Sequence, residues 1–381
     1  SNMTRQSKEE DLSKMRARYA RAGRAGRGKL LDECEEVCGY DRKYLIRLLG
    51  HPPKPVKGKP GPKSKYALPG VLKALEDLWL LMNRPCSKLF KANMPVWLPF
   101  YGRDHRISAE TKEKLLQISP ATIDRIMKPV RRKHGSHGLG GTKPNLALKF
   151  QIPIRTHHGD IDRPGYLQAD TVAHCGNSME GDFVWTLTMT DVETQWTENR
   201  GVWNKGYHGV AEAIKSIEED LPFSILGFHS DNGGEFLNHH LWRYFRHRDD
   251  PVDFTRTRPD HKDDNAYAEQ RNWTHVRQLL GYQRIENPNL LPVINELYEA
   301  WDLMHNLFCC TQKLESKTKE GSRYTRRYEK TPKTPAQRLI ESEHINEALK
   351  THLTEKMTNI NPIKLKTFID LHQHLVLSQL R

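Results

Sequence analysis

Three acidic residues carry most of the chemical content of this 381-residue sequence. Asp170 stands in Tyr166-Leu167-Gln168-Ala169-Asp170-Thr171, which reads as a strand. Asp231 follows the apolar run 223–228, in His229-Ser230-Asp231-Asn232-Gly233-Gly234-Glu235-Phe236. Glu269 lies in Asp264-Asn265-Ala266-Tyr267-Ala268-Glu269-Gln270-Arg271-Asn272, at the start of a helical stretch. Two Asp and one Glu, offered by two strand ends and a helix, can hold two divalent cations for in-line phosphodiester chemistry. Each also has a plain structural reading. Asp170 can cap a strand end, Asp231 can open an Asx-turn, and Glu269 can compensate a helix dipole from the first turn. A half-buried carboxylate is costly unless paired, and a turn just past a buried strand is where open α/β sheets place their sites.

Periodicity supplies the elements that would position these acids. Strands are expected over 165–171, 183–190 and 196–202, the last two joined by a hairpin turn at 191–194. A helix over 208–221, a strand over 223–229, a helix over 236–247 and a strand over 252–257 follow. Asn265 then caps a helix running to residue 280. The order βββ-α-β-α-β-α requires a mixed five-stranded sheet with helices packed on it. An apolar helix over 290–308 comes next, then the basic segment 313–333 with Arg323, Arg326 and Arg327 and little hydrophobic content. That segment reads as extended, ordering only on DNA. Weakly periodic helices fill the last fifty residues.

Charge divides the chain. Residues 1–150 carry 32 Lys+Arg against 14 Asp+Glu, whereas residues 151–381 carry 28 against 33. A basic front half suggests a module that binds polyanions, with a basic solvated surface as the plain alternative. Helices over 9–22, 28–37 and 41–49, with a Gly39-Tyr40 turn, fit a helix-turn-helix whose last helix offers Arg42, Lys43 and Arg47 to DNA, or else a generic helical bundle. The Pro/Gly/Lys run 51–66 reads as an extended linker in which Lys57 and Lys59 could track phosphates. A second helical unit has an apolar helix over 68–82, a charged one over 108–118 and one opened by Ser119-Pro120. The last of these carries Arg125, Lys128, Arg131 and Arg132, candidate DNA contacts. The resulting division is a DNA-binding unit (4–50), linker (51–66), second DNA-binding unit (67–134), linker (135–159), α/β core (160–310) and basic C-terminal extension (311–381).

The segments around Asp170, Asp231 and Glu269 resemble the integrase-type catalytic core of DDE transposases, in particular bacterial insertion-sequence transposases of the ISNCY kind. The resemblance implies an RNase H-like core, with Asp170, Asp231 and Glu269 as catalytic metal ligands. It also implies two Mg²⁺ ions (Mn²⁺ as a substitute) and double-stranded DNA as substrate, both transposon terminal repeats and target. The working protein would be at least a dimer on DNA, in the bacterial cytoplasm. Thirty-seven residues, 232–268, separate Asp231 from Glu269, close to the family's spacing. Asp264 is a weak rival third ligand. Retroviral relatives carry an N-terminal His/Cys zinc unit that is not visible here, so no zinc is expected. Two other readings remain: a domesticated DNA-binding regulator on the same scaffold, and an RNase H-like nuclease acting on RNA–DNA hybrids.

Neighbouring residues complete the expectations. Asn272 shares the face of Glu269 and could touch the scissile phosphate or hydrate a metal. Counting ~100° per residue, Arg271, His275 and Gln278 form a stripe turned away from Glu269, as a phosphate or subunit contact or a solvated face. On the same count Arg277 could reach DNA or simply be solvated. His229 and His239-His240 read as flanking groups rather than ligands, and His174 with Cys175 makes no convincing metal pair. The six cysteines show no zinc spacing and read as buried reduced thiols. No signal peptide or membrane-spanning run is expected; Ser1-Asn2-Met3 reads as a cleavage scar.

Overall fold

In the computed structural model, residues 5–51, 65–134, 161–257, 266–320 and 323–380 are described. Two compact units divide at Ser64/Lys65. The first holds α1 (Arg5–Arg21), α2 (Arg24–Cys38) and α3 (Arg42–Gly50). Gly39, at φ 64°, closes α2 in the left-handed region that an L side chain resists. Asp41 then starts α3 by accepting a hydrogen bond from the Lys43 N–H. Leu12, Leu31, Cys34, Cys38, Leu45 and Leu49 make its core.

The second unit opens with α4 (Pro69–Leu81), α5 (Ser87–Asp104), α6 (Ala109–Gln117) and α7 (Pro120–Lys133). Ser119 and Pro120 start α7 as the sequence predicts, and the structure shows in addition Pro69 in the first turn of α4 and Ser108 as the N-cap of α6. The structure adds α5, which retains Pro95 and Pro99 within it. The sheet follows: β1 (Tyr166–Ala173), β2 (Val184–Asp191), β3 (Thr197–Trp203), α8 (Tyr207–Asp220), β4 (Gly227–Ser230), α9 (His239–Arg246) and β5 (Asp253–Arg256). Strand order is β3-β2-β1-β4-β5, with β2 antiparallel to both β1 and β3, and β4 parallel to β1 and β5. This is the expected mixed five-stranded sheet. Its parallel half packs Leu167, Ala169, Phe228 and Phe254 with Ile214 of α8 and Phe245 of α9.

Beyond the sheet come α10 (Ala266–Arg271), a π-helical turn (Asn272–Arg277), α11 (Gln278–Leu280) and α12 (Leu291–Phe308). Strands β6 (Leu314–Glu320) and β7 (Arg323–Tyr328) form a separate two-stranded sheet, then α13 (Pro335–Glu341), α14 (Glu347–Asn359) and α15 (Pro362–Ser378) close the chain. The segment expected to stay extended until it meets DNA is thus a hairpin. Residues 67–134, read above as a DNA-binding unit, share one hydrophobic core with α12 and α15. Trp97 Nε1 donates to the Phe308 carbonyl (2.8 Å), and the Cys310 N–H donates to Asn93 Oδ1 (2.6 Å). Cys309 and Cys310 are buried in this seam, as expected, whereas Cys86 is exposed. Among the described residues no helix is long and apolar enough to cross a membrane.

Helix α12 also seals the open edge of β3. Asn306 accepts from the Thr197 N–H (2.9 Å) and donates to its carbonyl (2.8 Å). Asp302 Oδ2 accepts from the Asn199 N–H (2.6 Å), and Asn295 Oδ1 from the Gly201 N–H (2.7 Å). Alternate residues of β3 therefore pair with side chains of one helix. A Cβ at Gly201 would stand 3.1 Å from Ile294 and Leu291, so glycine there permits the approach.

A second polar corner predicts a pH effect. Asp191, fully buried, accepts from the Gly165 N–H (2.8 Å), the Thr194 N–H (2.7 Å) and the Thr194 hydroxyl (2.7 Å). Burial pushes its carboxyl up to about 6, against the hydrogen bonds that favour the anion. Since the folded value exceeds the unfolded ~3.9, its stabilising contribution is complete below that value and is lost as pH rises through the folded one. Thermal midpoints should fall over this window, and Asp191→Asn should flatten part of the fall.

Candidate active site

Strand pairing brings the two aspartates to neighbouring chain segments. Parallel strands β1 and β4 are in register from Tyr166↔Gly227 to Ala169↔Ser230. Asp170 is the next residue of β1, and Asp231 the first residue past β4. Asp170 Oδ1 accepts from the Thr171 N–H (2.8 Å). Its Oδ2 accepts from Asn272 Nδ2 (2.6 Å). Asp231 Oδ1 accepts from the Gly233 N–H (2.9 Å), the Asx-turn that the sequence suggests.

Glu235 is the acid that sequence reasoning missed. Its side chain, 3% exposed, accepts from Thr171 Oγ1 (3.0 Å) and pairs with Lys205 Nζ (2.5 Å). A Cβ on Gly233 would fall 2.5 Å from both carboxylate oxygens, so Gly233 is the space into which Glu235 folds back. Burial, then the charge of Glu235, push the Asp231 carboxyl up, against the Gly233 hydrogen bond and the charge of Lys205. The only sequence signal was an acid four positions after Asp231, across two glycines.

Glu269 is the fourth residue of α10; its side chain lies outside what the structure describes. Its helix is fastened on both sides of that position. The Tyr267 N–H donates to Gln168 Oε1 (3.0 Å), and Asn272 reaches Asp170 as above. The backbone of Glu269 is thereby held over β1, beside Asp170. Asn265 and Asp264 lie outside the described residues. Among the described residues no group of three His, Cys, Asp or Glu side chains could hold a metal ion. Asp170 and Asp231 nevertheless offer hard oxygen donors at the ends of one strand register, and Asn272 Oδ1 is a buried acceptor with no partner among the described residues. That donor set suits Mg²⁺ or Mn²⁺.

Of the polar stripe, Gln278 is exposed but the other two residues are not. Arg271 and His275 are buried: Arg271 donates to Gln195 Oε1 (2.8 Å), and His275 Nδ1 contacts Asn199 Oδ1 (3.0 Å) and Asp302 Oδ1 (3.3 Å). Burial holds the His275 imidazole well below its usual pKa. Arg277 is not solvated either, donating to the Ala173 (3.1 Å) and Gly281 (3.3 Å) carbonyls. The π-helical turn begins after Arg271, so its wider winding bears on His275 and Arg277, whereas Arg271 is buried because Gln195 packs against it. His174 and His229 are buried and hydrogen-bonded to Thr186 and Thr255, whereas His239 and His240 are exposed.

The candidate DNA contacts fall into three groups. Lys43, Arg47, Arg125, Lys128 and Arg132 are exposed. Arg42 is engaged by Asp32 and Glu35, and Arg131 by Asp124 (2.6 Å) and Ser87 (2.6 Å), so structural duty occupies both guanidinium groups. Lys57 and Lys59 lie outside the described residues.

Fold and site together describe an α/β protein whose mixed sheet, preceded by helices, brings two aspartates to adjacent parallel strands. The chain is 35% identical over 320 residues to an uncharacterized protein, y4rM, of Sinorhizobium fredii (strain NBRC 101917 / NGR234), covering 82% of this chain and 89% of that one. It belongs to the same family as y4rM. No family model matches it. The catalytic core domain of BIV integrase aligns at 17% identity over 31% of this chain and 70% of that chain, with a TM-score of 0.24. At that score nothing about this chain follows from the neighbour.

Proposed function

We propose that this protein is a DNA transposase of the DDE type, of the ISNCY-like insertion-sequence group. In this reading it binds transposon-end DNA, hydrolyses the ends and joins them to target DNA, working as at least a dimer in the bacterial cytoplasm. The observation that carries the proposal is the parallel register of β1 with β4, which ends at Ala169 and Ser230, the residues just before Asp170 and Asp231, with the helix of Glu269 fastened to Gln168 and Asp170 of β1. The βββ-α-β-α-β-α order of the core supports it, being the order of the RNase H-like fold implied by the sequence resemblance.

Asp170, Asp231 and Glu269 are the ligands in this scheme, holding two divalent ions. Such a cation supplies Lewis-acid activation of the attacking hydroxyl and offsets charge gathering on the phosphate. Asn272 fixes the Asp170 carboxylate in one orientation through its amide. Lys205 keeps the buried Glu235 charge compensated, leaving the acids at the strand ends as the local excess of negative charge. The attacking hydroxyl in this scheme is that of water or the DNA 3′ end, so no protein nucleophile is required and no covalent enzyme–DNA species is expected; Thr171, next to Asp170, donates to Glu235. Lys43, Arg47, Lys128 and Arg132 stand exposed for phosphate contacts.

Incubating the protein with Mg²⁺ and labelled duplex bearing its cognate ends should give joined products. Shortened strands from an RNA–DNA hybrid would instead assign a nuclease. A mobility shift without products would assign a DNA-binding regulator.

A further inference from the structure

We infer that the β6–β7 ribbon is a DNA-binding arm, one face of which lies against the phosphates bordering a major groove. The inference rests on the DNA-acting reading above and names a contact surface for it. The ribbon is a sheet of its own. Residues 313–330 hold seven Lys/Arg and three Glu, with Leu314 the sole aliphatic residue, so no apolar face docks it into a core. An isolated hairpin of this kind is marginal in water.

Its register makes the two faces unequal. Lys317 pairs with Arg326, Lys319 with Tyr324, Thr318 with Thr325, Ser316 with Arg327 and Glu320 with Arg323. Directly opposed residues share a face, and like charges placed so are destabilising. By that register positions 317, 319, 324 and 326, which the sequence fills with Lys, Lys, Tyr and Arg, share one face of the ribbon. On the other face position 320 lies opposite 323, a Glu and an Arg in sequence, and Arg327 pairs with Glu315 (3.4 Å). A polyanion complements the three cationic residues that the sequence places on the first face, and a two-stranded ribbon has the width that a major groove admits.

The base of the arm is fixed next to the candidate site. Lys313 and Glu329 exchange hydrogen bonds (2.8 and 3.0 Å), Lys313 pairs with Glu193, and Arg338 pairs with Glu329. A cavity of about 680 Å³ at this base is lined by Lys313, Glu329 and Arg338, and also by Tyr267, two residues before Glu269. DNA held along the arm would run toward the helix that bears that acid.

The test is fluorescence anisotropy of a labelled duplex with the full chain across a salt series, without divalent cations. Replacing Lys317, Lys319 and Arg326 together by Gln should lower the slope of log K on log salt by up to about 2.7, at ~0.9 per phosphate contact. Affinity at moderate salt should fall tenfold or more. Single replacements should each lower the slope by ~0.9, which keeps the test open if the triple variant unfolds. Arg327→Gln, on the other face, should change the slope least. An unaltered slope would overturn the inference. So would a changed oligomeric state in light scattering with unaltered DNA affinity, which would assign the ribbon to a protein partner. Because no chemistry is required, a protein that never joins strands but shows these losses would keep the arm and sink the transposase reading.

Discussion

Asp231→Asn should abolish strand joining while leaving the protein as stable as before, or more so. Loss of one ligand carboxylate is expected to cost roughly a thousandfold or more in rate, since ~4 kcal/mol of barrier lowering corresponds to three decades. The stability sign follows from the site itself. The Asp231 carboxyl is pushed up by burial and by Glu235, so its charge opposes folding at neutral pH. An amide of the same shape removes that opposition and can still accept from the Gly233 N–H. Mg²⁺ should raise the thermal midpoint of the parent protein and have a much smaller effect on the variant. Gel assays of joining, paired with calorimetry with and without Mg²⁺, check both halves. A variant that joins strands at the parental rate would remove Asp231 from the chemistry, and one that unfolds would make it a structural turn residue.

Asn306→Ala should be the most damaging single change away from the site. It strips the buried Thr197 N–H and carbonyl of their partners at the sheet edge. At ~1–3 kcal/mol for each orphaned group, a loss of about 2–6 kcal/mol is expected. Urea unfolding would show a lower midpoint with an unaltered slope if the native fold is retained. A cost under 1 kcal/mol would mean that water satisfies the exposed strand edge, and that the clamp contributes little.

Much of this architecture was readable in the chain. Most core strands and helices are marked by their own period and bounded by turn residues; β1, β2, β3 and β5 lie within two residues of the expected bounds, whereas β4 begins at Gly227 rather than at 223. Asp170 and Asp231 were legible for the same reason, as a strand residue and an Asx-turn just past a buried strand. Other features depend on partners far along the sequence. Helix α5 contains Pro95 and Pro99, which locally signal a break, yet its Trp97 and Phe100 are held in a core completed by Phe308. Glu235 follows Gly-Gly and locally resembles a solvated turn acid, until Thr171 of β1 and Lys205, just past β3, reach it. The β6–β7 hairpin has almost no apolar signal, because its anchoring comes from Glu193 and Arg338. Arg271 and His275 were misplaced because the groups that bury them, Gln195, Asn199 and Asp302, come from distant stretches, and past Arg271 the helix also leaves its uniform winding.

That winding has an evolutionary reading. A π-helical turn accommodates one residue more than the α-helix around it, so Asn272–Arg277 behaves as an absorbed insertion. It sets the phase between Tyr267 and Asn272, which grip β1, and Leu279 and Leu280, which are locked in the hydrophobic interior. Removing one residue would return the stretch to an α-helical turn with both grips nearly in phase, whereas adding another would rotate one half against the other by ~100°. The segment is therefore freer to lose a residue than to gain one.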